Sequence, residues 1–260
     1  MLTYWDTAGG IGAAWVLGGL LDAGAGAALV SHVLAACPLP RGAVFAAREA
    51  TATGRGTAAT VMVGPVGGGR RLIEAIHAVE DGTLPLAVRT WGGGTLRRLA
   101  EAEALVRGVA VDAVPLDDPL AVAEIVAVVA ALASLRVVRV FAAPTPPRRA
   151  VSTNDERAHA DAVTALLLEE AGWPEGTDAV PGAVVTHGGA ALLAALAEPG
   201  PPPLRLVQVG YGVEGGALFP VWLGEPHGPA APPRDRDRDA EAEAATAHAH
   251  PHPHERGEIA

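Results

Sequence analysis

The sequence contains no lysine and a single cysteine, and aromatic residues make up 4% of it. One cysteine excludes an internal disulfide and a cysteine-based zinc site. Cys37 follows an apolar helical stretch and precedes Pro38, a position typical of a buried side chain and not of a nucleophile. Because every basic residue is arginine, and alanine, glycine and proline are abundant, the composition indicates codon bias in a GC-rich genome.

Positive charge is also scarce, since the formal net charge of the 260 residues is -10. Binding to duplex nucleic acid needs a basic face, so we predict no nucleic-acid partner. No basic segment precedes an apolar run at the N-terminus, so we expect no signal peptide. The apolar run 122–135 is too short and too rich in alanine to span a bilayer. We therefore expect a cytoplasmic protein without a membrane partner.

A glycine-rich segment follows the first apolar stretch of the chain, residues 2–5. Gly9, Gly10 and Gly12 lie between this stretch and the apolar run 15–21, an order that predicts a strand, a tight turn and a helix. Such a turn leaves backbone N–H groups free at the positive end of the helix dipole. The three glycines are therefore candidate ligands for a nucleotide phosphate. The alternative is an ordinary tight turn between a strand and a helix.

Helical and extended patterns alternate along the rest of the chain. Helical spacing predicts helices at 27–37, 70–80, 84–107, 122–135, 155–171 and 190–197. Extended segments are predicted at 43–51, 57–64, 137–142, 204–213 and 217–223. Two of these pairs form hairpins, so the fold is predicted as α/β or α+β with a mixed sheet. Three glycines at 92–94 are expected to weaken the helix at 84–107.

The pattern divides the chain into one ordered domain, residues 1–225, and a tail, residues 226–260. The tail has proline clusters, an Arg-Asp repeat and few residues that form a core, so it is predicted to be disordered. Within the ordered domain, Asp117 and Asp118 precede the apolar helix. Acidic residues at this position favour the helix dipole, and we prefer this interpretation to a metal or acid/base role.

The tail carries four histidines at alternate positions: His248, His250, His252 and His254. Several imidazoles in a flexible chain can wrap one Ni²⁺, Zn²⁺ or Cu²⁺ ion, and the ligand type does not choose between them. The four histidines are therefore a candidate metal site suited to storage or delivery. The alternative is drift in a low-complexity segment.

Several segments match the motifs of one family in order and spacing. Residues 6–24 read DTAGGIGAAWVLGGLLDAG, against DxFSGISGDMFLGALLDLG in the family. LAEAEA stands at 99–104, and THGGAALL at 186–193 matches TPTGAALL. VGYGV and VWLGE, both within 209–225, match IGYGAG and VLLGE. These segments resemble the N-terminal region of the LarC family, the nickel insertion proteins of nickel-pincer nucleotide cofactor synthesis.

The sequence also departs from the family at several motif positions. The acid of the Ser-Gly-Asp segment is replaced by Ala14. The HFHEVGAVDSI stretch aligns with residues 115–125, where both histidines are missing and Asp118 keeps an acid in place of glutamate. The family's C-terminal region, which is associated with CTP-dependent insertion, has no counterpart in this sequence.

The resemblance implies a nickel-binding protein that assists nickel insertion into pyridinium-3,5-bisthiocarboxylate mononucleotide. It implies a separate C-terminal partner chain, and CTP as a cofactor only together with that chain. An active assembly would be a CTP-dependent cyclometallase of the lyase class, although the sequence identifies no catalytic residue. Two alternatives stay open: a non-catalytic metal-binding or regulatory paralogue, and a nucleotide-binding enzyme unrelated to nickel.

Overall fold

A computed structural model of the chain describes residues 1–38, 40–147, 155–177, 180 and 182–227. These residues fall in one unit of the chain, Met1–His227. Of the predicted tail, only residues 226 and 227 are among the described residues. Its four histidines lie outside them. Its disorder and its separation from the ordered domain stay predictions.

The described residues contain nine strands. They are β1 (Leu2–Trp5), β2 (Gly10–Ile11), β3 (Gly42–Ala50), β4 (Arg55–Val63), β5 (Arg139–Ala142), β6 (Val184–Val185), β7 (Ala197–Pro199), β8 (Leu204–Glu214) and β9 (Ala217–Pro226). Seven of them form one sheet in the order β3-β4-β8-β9-β1-β5-β7, and β2 pairs with β6 separately. Strands β1, β5 and β7 are parallel to one another, whereas the β3–β4 and β8–β9 hairpins are antiparallel. The predicted mixed α/β sheet is confirmed.

Seven α-helices accompany these strands in the described part of the chain. They are α1 (Ala13–Asp22), α2 (Ala27–Ala36), α3 (Leu72–Glu80), α4 (Gly93–Arg107), α5 (Pro119–Ser134), α6 (Asp155–Glu170) and α7 (His187–Leu196). Helix α5 is apolar and almost entirely buried, as its composition predicts. Among the described helices, none is both long enough and apolar enough to cross a membrane.

Helix α1 lies directly on the backbone of β8, and glycines on both elements make this possible. A Cβ added at Gly212 would overlap the carbonyl oxygen of Trp15, and one at Gly210 would overlap that of Gly19. On the helix side, a Cβ at Gly18 would overlap the carbonyl oxygen of Thr57 on β4. The glycines of the segments LGG and GYG are therefore required by helix–sheet packing.

Asp22, at the end of α1, stabilises the packing of this helix against β4 and β8. Its carboxylate accepts hydrogen bonds from the Thr57 hydroxyl (2.9 Å) and the Tyr211 N–H (3.0 Å), so it connects α1 to both β4 and β8. Arg48 on β3 adds an ion pair at 3.0 Å. This carboxylate has a structural role at the point where β4 and β8 pair through Thr57 and Gly212.

The three glycines at 92–94 do not interrupt the helix there. One π-helical turn, Val88–Gly92, runs straight into α4 at Gly93. A Cβ at Gly93 would lie 2.5 Å from Cγ of Glu80, and one at Gly92 would lie 3.3 Å from Val79. At Gly92 and Gly93, the low helix propensity of glycine is offset by this close approach of α3 to the start of α4.

Candidate functional site

A cavity of about 690 Å³ lies between α4, α6, α7 and the segment that leads into α5. Its walls are formed by Leu72, Leu99, Glu103, Arg107, Pro115, Leu116, Asp117, Asp118, Ala121, Val122, His159, Ala160 and His187. We call it the α4–α7 cavity. Its volume falls within the range of small-molecule sites in proteins, about 300–1,000 Å³, and its apolar lining with a few converging polar groups is typical of them.

One polar group of this cavity is centred on Glu103 of α4. Its Oε2 accepts a hydrogen bond from Arg107 Nε at 3.0 Å, one helical turn later. The same oxygen lies 2.6 Å from His159 Nε2 on α6. Arg107 also forms an ion pair with Asp117, with 3.0 Å between Nη1 and Oδ2. The Glu103 side chain is only 14% exposed, and its contacts with Arg107 and His159 provide hydrogen-bonding partners for the buried carboxylate oxygen.

A second polar group joins α7 to the start of α5. His187 Nε2 lies 3.3 Å from Oδ2 of Asp118, while Oδ1 of Asp118 accepts the backbone N–H of Ala121 at 2.9 Å. The hydrogen bond with His187 holds the pKa of Asp118 below its usual value, although burial acts in the opposite direction. The same bond raises the pKa of His187 and outweighs the burial that would lower it. The predicted capping role of Asp118 is confirmed, and the contact with His187 is additional.

His187 reaches this position because of the residues around it. The sequence pattern predicts a helix from residue 190, whereas residues 186–189 are already the N-cap and first turn of α7. The Thr186 hydroxyl accepts the N–H of Gly189 at 3.0 Å and replaces a missing backbone partner. A Cβ at Gly189 would lie 2.6 Å from the carbonyl oxygen of Ile11, so glycine is needed for α7 to approach β2.

Substituting Thr186 with alanine is expected to destabilise the fold by about 1 kcal/mol, because the N–H of Gly189 then loses its capping oxygen. Urea denaturation followed by far-UV circular dichroism measures this change. Thr186→Ser is the matched control, since it retains the hydroxyl and is expected to keep most of the stability. Equal stability of the alanine and wild-type proteins would contradict this role for the hydroxyl.

Glu124, on α5, lies close to the second polar group. Burial raises its pKa to about 7, and the negative charges of Asp118 and Glu214 act in the same direction. The positive charge of His187 opposes them. A carboxyl group that titrates near neutral pH beside a cavity is a feature of functional sites in enzymes.

The three glycines proposed to bind phosphate lie apart from the α4–α7 cavity lining. Gly10 has a φ of +103° and donates its N–H to the Thr7 carbonyl oxygen at 2.9 Å. A Cβ there would overlap the carbonyl oxygen of Val184 on β6, so strand pairing already explains this glycine. Gly9 is exposed, and Gly12 is the N-cap of α1 without a side-chain capping bond. Phosphate binding at these residues stays a prediction.

Comparison with known proteins identifies the chain's relatives. A model of the family described as "Nickel insertion protein" matches residues 3–221. The chain belongs to this family. A putative nickel insertion protein from Roseiflexus castenholzii is 34% identical over 86% of the chain and 59% of its own length. One from Thermomicrobium roseum is 31% identical, over 86% of the chain and 58% of its own length. No solved structure matches the chain significantly.

The chain thus spans less than two thirds of the length of these relatives, about 59% of the first. In this nickel insertion family member, the described residues contain no group of three or more His, Cys, Asp or Glu side chains arranged to hold a metal ion. The cavity instead offers two separate imidazole–carboxylate pairs. A metal held by either pair would therefore keep coordination positions open for other ligands.

Sequence reasoning missed most of the polar side chains in the cavity. It assigned Asp118 a capping role and included His187 only within the motif at 186–193. Glu103 and Arg107 were recognisable as an i, i+4 pair on an amphipathic helix, which ordinarily indicates a solvated surface. His159 is a single histidine on a helix and gave no signal. Their convergence from α4, α6, α7 and the start of α5 is a property of the tertiary structure alone.

Proposed function

We propose that this protein binds Ni²⁺ in the cytoplasm and assists its insertion into pyridinium-3,5-bisthiocarboxylate mononucleotide. Membership of the nickel insertion family supports the metal and the type of reaction. Two imidazole–carboxylate contacts lie within one cavity, and this observation supports the α4–α7 cavity as the site of this function. Imidazole nitrogen and carboxylate oxygen are ligands that Ni²⁺ accepts.

The α4–α7 cavity has suitable chemistry for a mononucleotide acceptor. Leu72, Leu99 and Val122 offer apolar surface for an aromatic ring. The Arg107 guanidinium contacts Glu103 and Asp117 through two of its five N–H groups, so the others remain for a phosphate or carboxylate. Its side chain is 28% exposed, which leaves it accessible to a bound ligand.

We propose that the tail histidines bind Ni²⁺ before it is transferred to the acceptor. Several imidazoles on one segment bind metal without a preformed cage and can release it to a better ligand. Insertion itself then requires the region that the longer relatives contain and this sequence does not match, supplied by a partner chain that uses CTP. This division of work is a proposal based on the family resemblance.

The test is a nickel-insertion assay with the full chain, Ni²⁺, CTP and the bisthiocarboxylate mononucleotide, with and without a candidate partner chain. We expect nickel-containing product, detected by mass spectrometry, only when both chains are present. An Arg107→Ala variant is expected to raise the acceptor concentration needed for half-maximal product. Product formation that depends on neither this chain nor Arg107 would contradict the proposal.

A non-catalytic role in nickel binding is the second candidate. The observation in its favour is that acid and histidine positions of the family motifs are replaced in this sequence, as at Ala14. Such a protein would bind Ni²⁺ but would not change the yield of product made by a complete nickel insertion system. The product yield of a complete system, measured with and without this chain, therefore separates the two functions.

The contribution of the tail is measured separately by calorimetric titration with Ni²⁺. Replacing His248, His250, His252 and His254 with alanine is expected to remove one class of nickel sites from the titration. A variant with Glu241→Ala and Glu243→Ala controls for other changes in the tail and is expected to keep that class. Unchanged nickel binding by the four-histidine variant would exclude the tail as a metal site.

A further inference from the structure

We propose that His187 Nε2 and Asp118 Oδ2 form a two-donor site for a divalent metal inside the α4–α7 cavity. The inference rests on the proposed function only for the identity of the metal, Ni²⁺. The two atoms are 3.3 Å apart. Neighbouring ligands about 2.0–2.1 Å from a metal, at angles between about 90° and 109°, are separated by roughly 2.9–3.4 Å. A metal that replaces the proton shared by these two atoms, with release of that proton to solvent, can therefore bind both with little movement of either side chain.

The other imidazole–carboxylate pair is less suited to hold the metal. Oε2 of Glu103 is shared by His159, at 2.6 Å, and by Arg107, at 3.0 Å. A metal cation on this oxygen would have to displace the guanidinium or lie next to its positive charge. By contrast, Oδ2 of Asp118 has His187 as its hydrogen-bonding partner, and that bond is longer than the usual 2.7–3.2 Å.

The backbone holds both donors in place. Oδ1 of Asp118 is fixed by the N–H of Ala121 in the first turn of α5, which leaves Oδ2 directed at His187. His187 is the first residue of α7, and the Thr186 hydroxyl caps that helix. The two donors are thus presented by the starts of two helices and not by loops, which favours a defined geometry.

The same placement makes the site suitable for a metal that must leave. Helix N-termini carry partial positive charge, so the starts of α5 and α7 weaken the binding of a cation. They favour an anionic group beside the metal, such as a carboxylate or thiocarboxylate of the acceptor. With two protein donors, the remaining coordination positions are free for sulfur or oxygen atoms of that acceptor. This arrangement fits transfer better than permanent storage.

Calorimetric titration of the full chain with Ni²⁺ tests the site. All four tail histidines are first replaced with alanine, so that binding in the cavity is measured alone. We expect one nickel per chain in this background, and a loss of affinity of at least tenfold for either His187→Ala or Asp118→Asn. Asparagine at 118 still caps α5, so the second variant keeps the fold while removing the anionic donor. His77→Ala, on the exposed side of α3, is the control and is expected to bind as the background does.

Two results would overturn the inference: no nickel binding by the background protein, or unchanged affinity in both cavity variants. Circular dichroism of each variant verifies that the fold is retained. Failure of the cavity site with an unchanged insertion yield would reject this inference and leave the proposed function standing. Cavity binding in a protein that never yields product would support the metal site and reject the proposed function.

Discussion

The Glu124→Gln variant is expected to be more stable than the wild-type protein at pH 8 by roughly 3 kcal/mol. Burial, together with the charges of Asp118 and Glu214, raises the pKa of Glu124 from 4.5 in the unfolded chain to about 7 in the folded protein. Each unit of this difference corresponds to about 1.4 kcal/mol. Glutamine has similar size and no charge, so it avoids the cost of ionising a half-buried carboxyl group.

The pH range of the effect follows from the two pKa values of Glu124. Below pH 4.5 the carboxyl is protonated in both states and contributes nothing. Between about 4.5 and 7 the folded state binds the proton more tightly, so wild-type stability falls as the pH rises. Above 7 the loss is complete. His187 also loses stabilisation as the pH rises through its raised pKa, and this part of the slope remains in the glutamine variant.

Urea unfolding at several pH values between 5 and 8 measures this difference. Glu101→Gln, on the exposed side of α4, is the matched control for the change in net charge. The wild-type and Glu124→Gln curves are expected to converge near pH 5 and to separate towards pH 8. Parallel curves across the whole range would show that Glu124 does not titrate near neutral pH in the folded protein.

The Gly212→Ala variant is expected to be less stable than the wild-type protein by more than about 4 kcal/mol. Much of the expressed variant protein is expected in the insoluble fraction. The new Cβ would overlap the carbonyl oxygen of Trp15, a backbone atom of α1. Since a backbone atom cannot be moved by changing a rotamer, relief requires α1 to shift away from the sheet. Overpacking that displaces a whole element costs more than the usual 1–3 kcal/mol of an enlarged core side chain.

Gly94→Ala is the matched control for this substitution. An added Cβ at Gly94 meets nothing within 4 Å, and the residue lies inside α4. Alanine there is expected to stabilise the protein by up to about 1 kcal/mol, because it forms helix better than glycine. Thermal unfolding of both variants separates a steric requirement for glycine from a general sensitivity to substitution. If Gly212→Ala were as stable as the wild-type protein, the close packing of α1 against β8 would be contradicted.

Much of the architecture was predictable because hydrophobic periodicity is a local property. The apolar run of α5, the β3–β4 hairpin and the β8–β9 hairpin were all predicted and are confirmed. The errors occurred at glycines. Gly92–Gly94 and Gly188–Gly189 have low helix propensity, yet they lie within helices that pack closely against neighbouring elements. Propensity describes an isolated segment, whereas Gly93 and Gly189 stand where the folded protein leaves little space for a side chain.

The site was far less predictable than the fold. The nickel insertion family could be identified from the order of short motifs, and several of those motifs turn out to be structural. Gly210 and Gly212 allow a helix to touch a strand, and Thr186 caps α7. The predicted phosphate turn and the predicted tail site gave no indication of the cavity, which depends on side chains from five separate parts of the chain.

By itself, the sequence indicated the family, a mixed sheet of α/β or α+β class and the absence of an internal disulfide, because these follow from motif order, local periodicity and a single cysteine. Only the tertiary structure decided which polar residues meet. Asp118 and His187 are separated by 68 intervening residues along the chain and lie 3.3 Å apart in the fold. Their contact, and the raised pKa of Glu124 beside it, arise from burial and from charges brought together when α5 and α7 pack.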